Sequence, residues 1–307
     1  MNGFATAAMR RLNPFRMRTT KLRDYVVLTK PEVNTLVVMT ALAGFDLARR
    51  GPVQIPLLLN TLLGTLLVAS GTGTLNQYME RVSDRSMRRT ARRPLPAGRL
   101  HSAEALTFGL LSSASGVILL WFEANPLASI LALTALSSYL LIYTPLKKKT
   151  SLCTLVGAFP GAMPCLIGWA AARGSLNQES LVLYTMLFLW QFPHLLAIAW
   201  MYREDYSRAG LRMLPAKDPE GRLVSRQILA FMAALVLVSM VPAMTGQAGK
   251  VYLLAALALG GYFLFHGARL AGSRTNALAR RLVLASIIYL PLILSLLMLD
   301  RVSSIAV

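Results

Sequence analysis

The sequence predicts an all-α protein that crosses a membrane many times, and three observations carry that prediction. Hydrophobic residues make up 55 % of the 307 and charged residues only 15 %, with a mean hydropathy of +0.53; a soluble chain carries roughly a quarter charged residues. Nine stretches meet the length of about 20 mostly apolar residues that a spanning helix needs. Finally, the 32 Lys and Arg, set against 13 Asp and Glu, fall in alternate connections between those stretches. The same figures exclude a disordered chain, which would be poor in apolar residues. They also turn the net charge of +19 away from nucleic acid, the usual reading of a basic soluble domain. Two cysteines, Cys153 and Cys165, make neither a disulfide framework nor a thiolate metal site, and three histidines leave little room for a histidine-rich one.

The spans run at 31–48, 53–78, 102–122, 125–144, 151–172, 180–201, 224–244, 250–270 and 280–299. The first follows Lys30 and stops at Arg49-Arg50, and a short connection leads to the second. The second ends in a long basic connection with seven arginines, Arg81 to Arg99. The third and fourth are joined by a short link, and Lys147, Lys148 and Lys149 close the fourth. The fifth contains Pro160, Gly161, Pro164 and Gly168, which suggest close packing and a broken helix. The sixth contains Pro193 and leads into a connection bearing Arg203, Arg208 and Arg212. The seventh and eighth are joined tightly, and Arg269, Arg274, Arg280 and Arg281 precede the ninth. With the N-terminal arm, 27 bases lie on one side and five on the other. The positive-inside rule therefore puts the N-terminus and the even connections in the cytoplasm. The chain is expected in the bacterial inner (plasma) membrane as a multi-pass protein, with the mitochondrial inner membrane as the alternative. Residues 1–23, with six bases and no acid, read as a cytoplasmic arm on anionic lipid or as a transit peptide. Their shortness favours the arm, and 24–307 form a single transmembrane domain.

Asn76, Glu80 and Asp84 stand at the end of the second helix at i, i+4 and i+8, so on that helix they share one face. A carboxylate at a membrane helix end is costly without a partner or a task. Oxygen ligands in a row suit Mg²⁺, which takes few carboxylates, several waters and substrate phosphates; the alternative is a helix end fraying into a charged loop. Arg89 and Arg93 stand beside these acids, and Lys147, Lys148, Glu204 and Asp205 lie on the same side. Acids holding Mg²⁺ with bases nearby form a site for a diphosphate. A transporter would bury polar groups at the midplane, where most of these spans have no ionisable residue. His194, beside Pro193, has two readings: a contact to substrate, or helix packing beside a kink.

The Asn76…Glu80…Asp84 pattern with Arg89-Thr90 and Arg93-Pro94-Leu95 resembles the signature of the UbiA-type intramembrane prenyltransferases, and further segments resemble their haem-farnesylating branch. These are Leu28 to Glu32, Tyr143 to Lys147, Gly157 to Gly168, Trp190 to His194, Glu204 to Gly210 and Ser286 to Leu290. The resemblance implies a nine-helix bundle around a cavity open to lipid. It implies Mg²⁺ as cofactor, farnesyl diphosphate as donor, haem B as acceptor and haem O as product, with haem A synthase or terminal-oxidase assembly factors as candidate partners and no nucleic acid. It implies Asn76, Glu80, Asp84 and Asp205 as metal and catalytic residues. Arg89, Arg93, Lys147, Lys148, Glu204, Tyr143, Tyr206 and His194 would contact substrate. The superfamily's second motif pairs two aspartates at i, i+4; here Tyr202 and Tyr206 take those places, with Glu204 and Asp205 between them, which leaves the number of ions at the second patch open. The remaining alternatives are a relative that prenylates a quinone precursor or chlorin and, in another class, a transporter.

Overall fold

A bilayer core offers no water to backbone N–H and C=O groups, so an apolar run can cross it only as a helix that satisfies its own. The computed structural model describes residues 14–302, with side chains from residue 21 onward, and the chain between them is mostly helical, with one long connection at 86–101. In order the elements are α1 (Pro14–Thr29), α2 (Pro31–Ala48), α3 (Ile55–Arg85), α4 (Ser102–Glu123), α5 (Pro126–Ser137), a π-helical turn (Ser138–Tyr143), α6 (Thr144–Leu146), α7 (Cys153–Arg173) and α8 (Gln178–Met201). Then come α9 (Arg203–Arg208), α10 (Leu214–Lys217), α11 (Arg222–Met244), α12 (Lys250–Ser273) and α13 (Asn276–Leu299). Eight of the helical segments are long and apolar enough to cross a membrane singly, and α1 with α2, bent by 45° at Lys30, makes up a ninth.

Beyond shifts of a few residues at the helix ends, three features differ from the sequence reading. The second helix runs on to Arg85, so the acids at 80 and 84 stand on regular helix beyond its apolar part. The fourth span is not one α-helix: it ends in the π turn before α6. The fifth is unbroken, because α7 passes through both Pro160 and Pro164. Each proline removes one ladder bond, which frees Val156 O and Pro160 O, yet the helix continues through both; between them Gln191 Nε2 of α8 donates to Ala158 O at 3.0 Å.

The bundle is organised around α7. In its most apolar window 72 % of the residues are buried inside the protein, against 28 % for α11 and α12. It packs on α2, α5 and α8. Its approach to α2 is backbone to backbone: a Cβ on Gly168 would lie 1.9 Å from Ala41 O, and one on Gly44 would lie 2.0 Å from Cys165 O. Glycine is required on both faces of that crossing. The largest apolar cluster fills the space between α7, α8, α11, α12 and α13, with Met186, Leu196, Ile228, Met232, Tyr252, Phe263 and Tyr289 almost fully enclosed. Trp169, Trp190 and Trp200 are buried too, so three of the four tryptophans serve this packing and not an interfacial belt.

Contacts gather the even connections at one end. Asp24 pairs with Arg99, Lys21 with Glu104, and Arg203 with Asn276. At the other end Asp46, Arg49 and Arg301 meet. The charge sorting read from the sequence thus divides the molecule into a basic end and an opposite end.

Candidate active site

The acid face of α3 is closed over by three basic side chains from three other segments. Asn76, 1 % exposed, accepts from Lys30 Nζ at 3.1 Å through Oδ1. Its amide nitrogen donates to Glu80 Oε2 at 3.1 Å and to Thr144 Oγ1 at 3.2 Å. Lys147 Nζ grips both Glu80 oxygens, at 2.9 and 3.1 Å. Arg93 Nη1 donates to Asp84 Oδ2 at 2.9 Å. The other Asp84 oxygen, Oδ1, is buried without a hydrogen-bond partner among the described residues. A buried carboxylate oxygen left unpaired is costly.

Local structure explains why these groups meet. Lys30 adopts a left-handed conformation, φ 54°, which is uncommon for a residue with a Cβ. The α region is disfavoured for it because Pro31 follows. That backbone breaks α1 from α2 and turns the Lys30 ammonium onto Asn76. Strain of this kind clusters at functional sites. The loop after α3 is pinned by Thr90, whose hydroxyl donates to Asp84 O at 3.0 Å, and this brings Arg93 back over Asp84. On the far side, the π turn widens the end of the fourth span. Thr144 Oγ1 donates to Tyr139 O at 2.9 Å, and Thr144 and Lys147 then face α3. Single π-turns are frequent at functional sites. Tyr143 leans its ring under the Lys147 ammonium at 4.5 Å. Space for that ring exists because residue 157 is glycine: a Cβ there would lie 2.5 Å from Tyr143 Cε2. Burial lowers the hold of the Lys147 ammonium on its proton, but Tyr143 and Glu80 beside it outweigh that and raise its pKa. Lys147 therefore stays charged.

Asp205 forms a second patch on α9. The Arg89 N–H donates to its Oδ2 at 3.1 Å, and Arg208 pairs with its Oδ1. The segment from 84 to 93 thus reaches both acid patches. Glu204, next in sequence to Asp205, is exposed and has no ion-pair partner among the described residues; the same is true of Lys148. The Arg89 guanidinium lies over Tyr202 at 5.0 Å and not on a carboxylate. Tyr206 packs against an apolar cluster with Met87, Cys153, Leu211 and Met213. Of the predicted residues, the structure therefore brings together Asn76, Glu80, Asp84, Arg93, Lys147 and Tyr143, with Asp205 joined through Arg89. Sequence reasoning missed Lys30 and Thr144 as members of the site. Among the described residues no three Asp, Glu, His or Cys side chains converge as a ready metal cage. The α3 face is the donor set that fits a Mg²⁺ retaining waters and substrate oxygens, and the unpartnered Asp84 Oδ1 is the atom such an ion or its water would satisfy.

His194 lies inside the bundle on α8. Its ring stacks on Trp190, centroids 5.0 Å apart, and Nδ1 is 2.7 Å from Ser286 Oγ. The Ser286 hydroxyl itself donates to Val283 O at 2.6 Å. With that proton committed, Nδ1 must be the donor, and the lone pair of the ring sits on Nε2. Trp190 Nε1 donates to Ser286 O at 2.9 Å, so the indole, imidazole and serine hold one another in place.

Residues 37–290 match the model of the UbiA prenyltransferase family. A curated relative from Solibacter usitatus, named protoheme IX farnesyltransferase, is 48 % identical over 289 residues, covering 91 % of this chain and 99 % of its own. One of the same name from Koribacter versatilis is 43 % identical, covering 91 % and 94 %. Among solved structures, the fold is similar to a digeranylgeranylglyceryl phosphate synthase (TM-score 0.75, 18 % identity, 92 % of this chain and 98 % of that one). It is also similar to a UbiA homolog from Archaeoglobus fulgidus bound to DMAPP and Mg²⁺ (TM-score 0.68, 15 % identity, 90 % and 99 %).

Proposed function

We propose a function from one premise: the chain belongs to the UbiA prenyltransferase family. It is a membrane prenyltransferase that moves the farnesyl group of farnesyl diphosphate onto a vinyl group of protohaem IX, giving haem O for haem-copper oxidases. The relatives that match over nearly their whole length carry that activity in their names. The observation within the chain that carries the reading is the α3 acid face ringed by Lys30, Arg93 and Lys147. Arg93 and Lys147 each pair with one of two carboxylates there, and Lys30 adds a third basic side chain in a place shielded from water. Acids that can hold a divalent metal, with basic groups beside them, suit a polyanion arriving with its metal.

Asn76, Glu80 and Asp84 would hold Mg²⁺, with Asp205 serving the second patch. Held there, Mg²⁺ would supply positive charge against the departing diphosphate. Lys30, Lys147 and Arg93 bind the same leaving group and are already fixed by hydrogen bonds, so little reorganisation is needed as its charge grows. The allylic C–O bond breaks and the electron pair departs with the diphosphate. The terminal vinyl carbon of haem then forms the new C–C bond. Water adds to the cation left beside the ring and gives up a proton, completing the hydroxyethyl-farnesyl group. The apolar surroundings of the bundle would exclude water until that bond has formed. For the farnesyl tail, a cavity of about 720 Å³ opens sideways between α2, α3 and α4. It begins at Thr29 and Pro31, the neighbours of Lys30, and continues along Val38, Leu66, Leu67 and Phe108. His194, with its free Nε2 in the bundle, is the candidate haem contact. The basic end is the cytoplasmic one, and the chain resides in the bacterial plasma membrane.

Farnesyl transfer to haem should stop on chelation with EDTA and return on adding Mg²⁺. Activity that persists in a metal-free assay would remove Mg²⁺ from the mechanism. His194→Gln should raise KM for haem about tenfold while KM for farnesyl diphosphate stays put, a difference of about 1.4 kcal/mol in haem binding. Equal changes in both would make His194 a packing residue. The experiment that tests the whole reading is mass spectrometry of haems extracted from membranes expressing the protein. A gain of one hydroxyethyl-farnesyl group on haem B is expected; no new haem in active membranes overturns it.

A further inference from the structure

The end of the bundle opposite the acid face holds a second cavity, and its charge is not explained by topology. The sequence leaves only five Lys and Arg outside the basic end, and four of them, Arg49, Arg50, Arg173 and Arg301, line this one cavity of about 690 Å³ between α2, α7, α8, α11 and α13. Two acids share it. Asp46 is taken by Arg49 at 2.7 Å, and Glu179 lies 3.7 Å from Arg173. Arg301 and Arg50 have no carboxylate partner among the described residues. The Arg301 guanidinium is held in place all the same: Nη1 donates to Asp46 O at 2.8 Å and Nη2 to Arg49 O at 3.1 Å. A half-buried guanidinium fixed by neutral carbonyls keeps its whole charge available to an anion. The cavity floor is apolar, with Leu183, Met186 and Leu297, and it includes Trp169, whose indole N–H is buried without a partner. Buried indole N–H groups usually find an acceptor.

We propose that this cavity binds an anionic amphiphile, its acid head between Arg50 and Arg301 and its apolar body against Trp169, Met186 and Leu297. The volume lies within the range of small-molecule sites, about 300–1,000 Å³. An acid head of this kind has two sources in such a membrane: the carboxylates of a porphyrin, and the phosphate of an anionic phospholipid. The site does not depend on the reaction proposed above, and its test reads binding and not turnover.

The test uses full-length protein in nanodiscs of neutral phosphatidylcholine. Metal-free protoporphyrin IX and its dimethyl ester are titrated by tryptophan quenching, and added phosphatidylglycerol is scored by native mass spectrometry. The variants are Arg50→Gln, which removes no internal contact, and Arg301→Gln. If a porphyrin is the occupant, each variant weakens the free acid about tenfold and leaves the ester unchanged. If a phospholipid is the occupant, both variants lose bound phosphatidylglycerol while porphyrin binding stays the same. Binding of both probes unchanged in both folded variants overturns the proposal. Absence of haem farnesylation in the wild type would sink the reaction proposed above and leave this result standing.

Discussion

Asp84→Ala is expected to lower farnesyl transfer by about 10³-fold or more, the scale reached when one preorganised electrostatic group is removed from an active site. That corresponds to about 4 kcal/mol of lost transition-state stabilisation. The reason lies in the two oxygens of this side chain. Oδ2 holds Arg93, and Oδ1 is buried with nothing bound to it. On the proposed mechanism the substitution would remove the oxygen left for the ion and release Arg93, the proposed diphosphate contact, so both halves of the charge arrangement would fail together. Asp84→Asn separates shape from charge, since it keeps the volume and one oxygen but not the negative charge, and it should be nearly as inactive. The check is haem O formation per unit of protein in the membrane fraction, because neither variant should disturb insertion. An Asp84→Ala enzyme with more than a tenth of normal activity would place the diphosphate elsewhere.

Gly168→Leu is expected to prevent accumulation of folded protein altogether. A single Cβ at 168 would meet Ala41 O at 1.9 Å and Phe45 N at 3.0 Å. Both are backbone atoms of α2, which cannot swing aside as a side chain can. Overpacking of a core commonly costs about 1–3 kcal/mol, and a clash with fixed backbone lies at or above the top of that range. Gly44→Leu, on the other face of the same crossing, should fail in the same way. Gly272→Leu supplies the control, since nothing lies within 4 Å of its Cβ. Yield and thermal stability in detergent should fall for the first two variants and not for the third. Normal stability of Gly168→Leu would mean that α2 and α7 do not cross at this point.

How far the sequence could be read varied from residue to residue. The membrane crossings were legible because length and hydropathy are additive properties of a segment. The i, i+4, i+8 acids were legible because helical period is local. Where several segments compete for one group, the sequence was mute. Lys30 looked like one more base in a basic arm, and only the left-handed backbone before Pro31 aims it at Asn76. Glu204 and Asp205 are equivalent in composition; the turn at Tyr202 that starts α9 faces one inward and leaves the other in the open. No residue pattern announces the π turn at Ser138–Tyr143, although it sets where Lys147 stands. The two prolines of α7 suggested a break because proline acts on its own helix, whereas the packing of α2, α5 and α8 around this helix comes from elsewhere in the chain.

The enclosure of α7 has a consequence for how the enzyme senses its bilayer. Hydrophobic mismatch acts on helix surfaces that touch lipid, at a fraction of a kcal/mol per ångström. α7 presents little such surface, while α11 and α12 present most of theirs. A thinner or thicker membrane therefore tilts the outer helices first and leaves the α2–α7 crossing in register. The acid face on α3 is tied to that crossing through its packing on α2 and α7, and to the outer helices through α4, its largest packing partner. Lipids of different acyl-chain length should accordingly change the tilt of α11 and α12 before they change the central crossing.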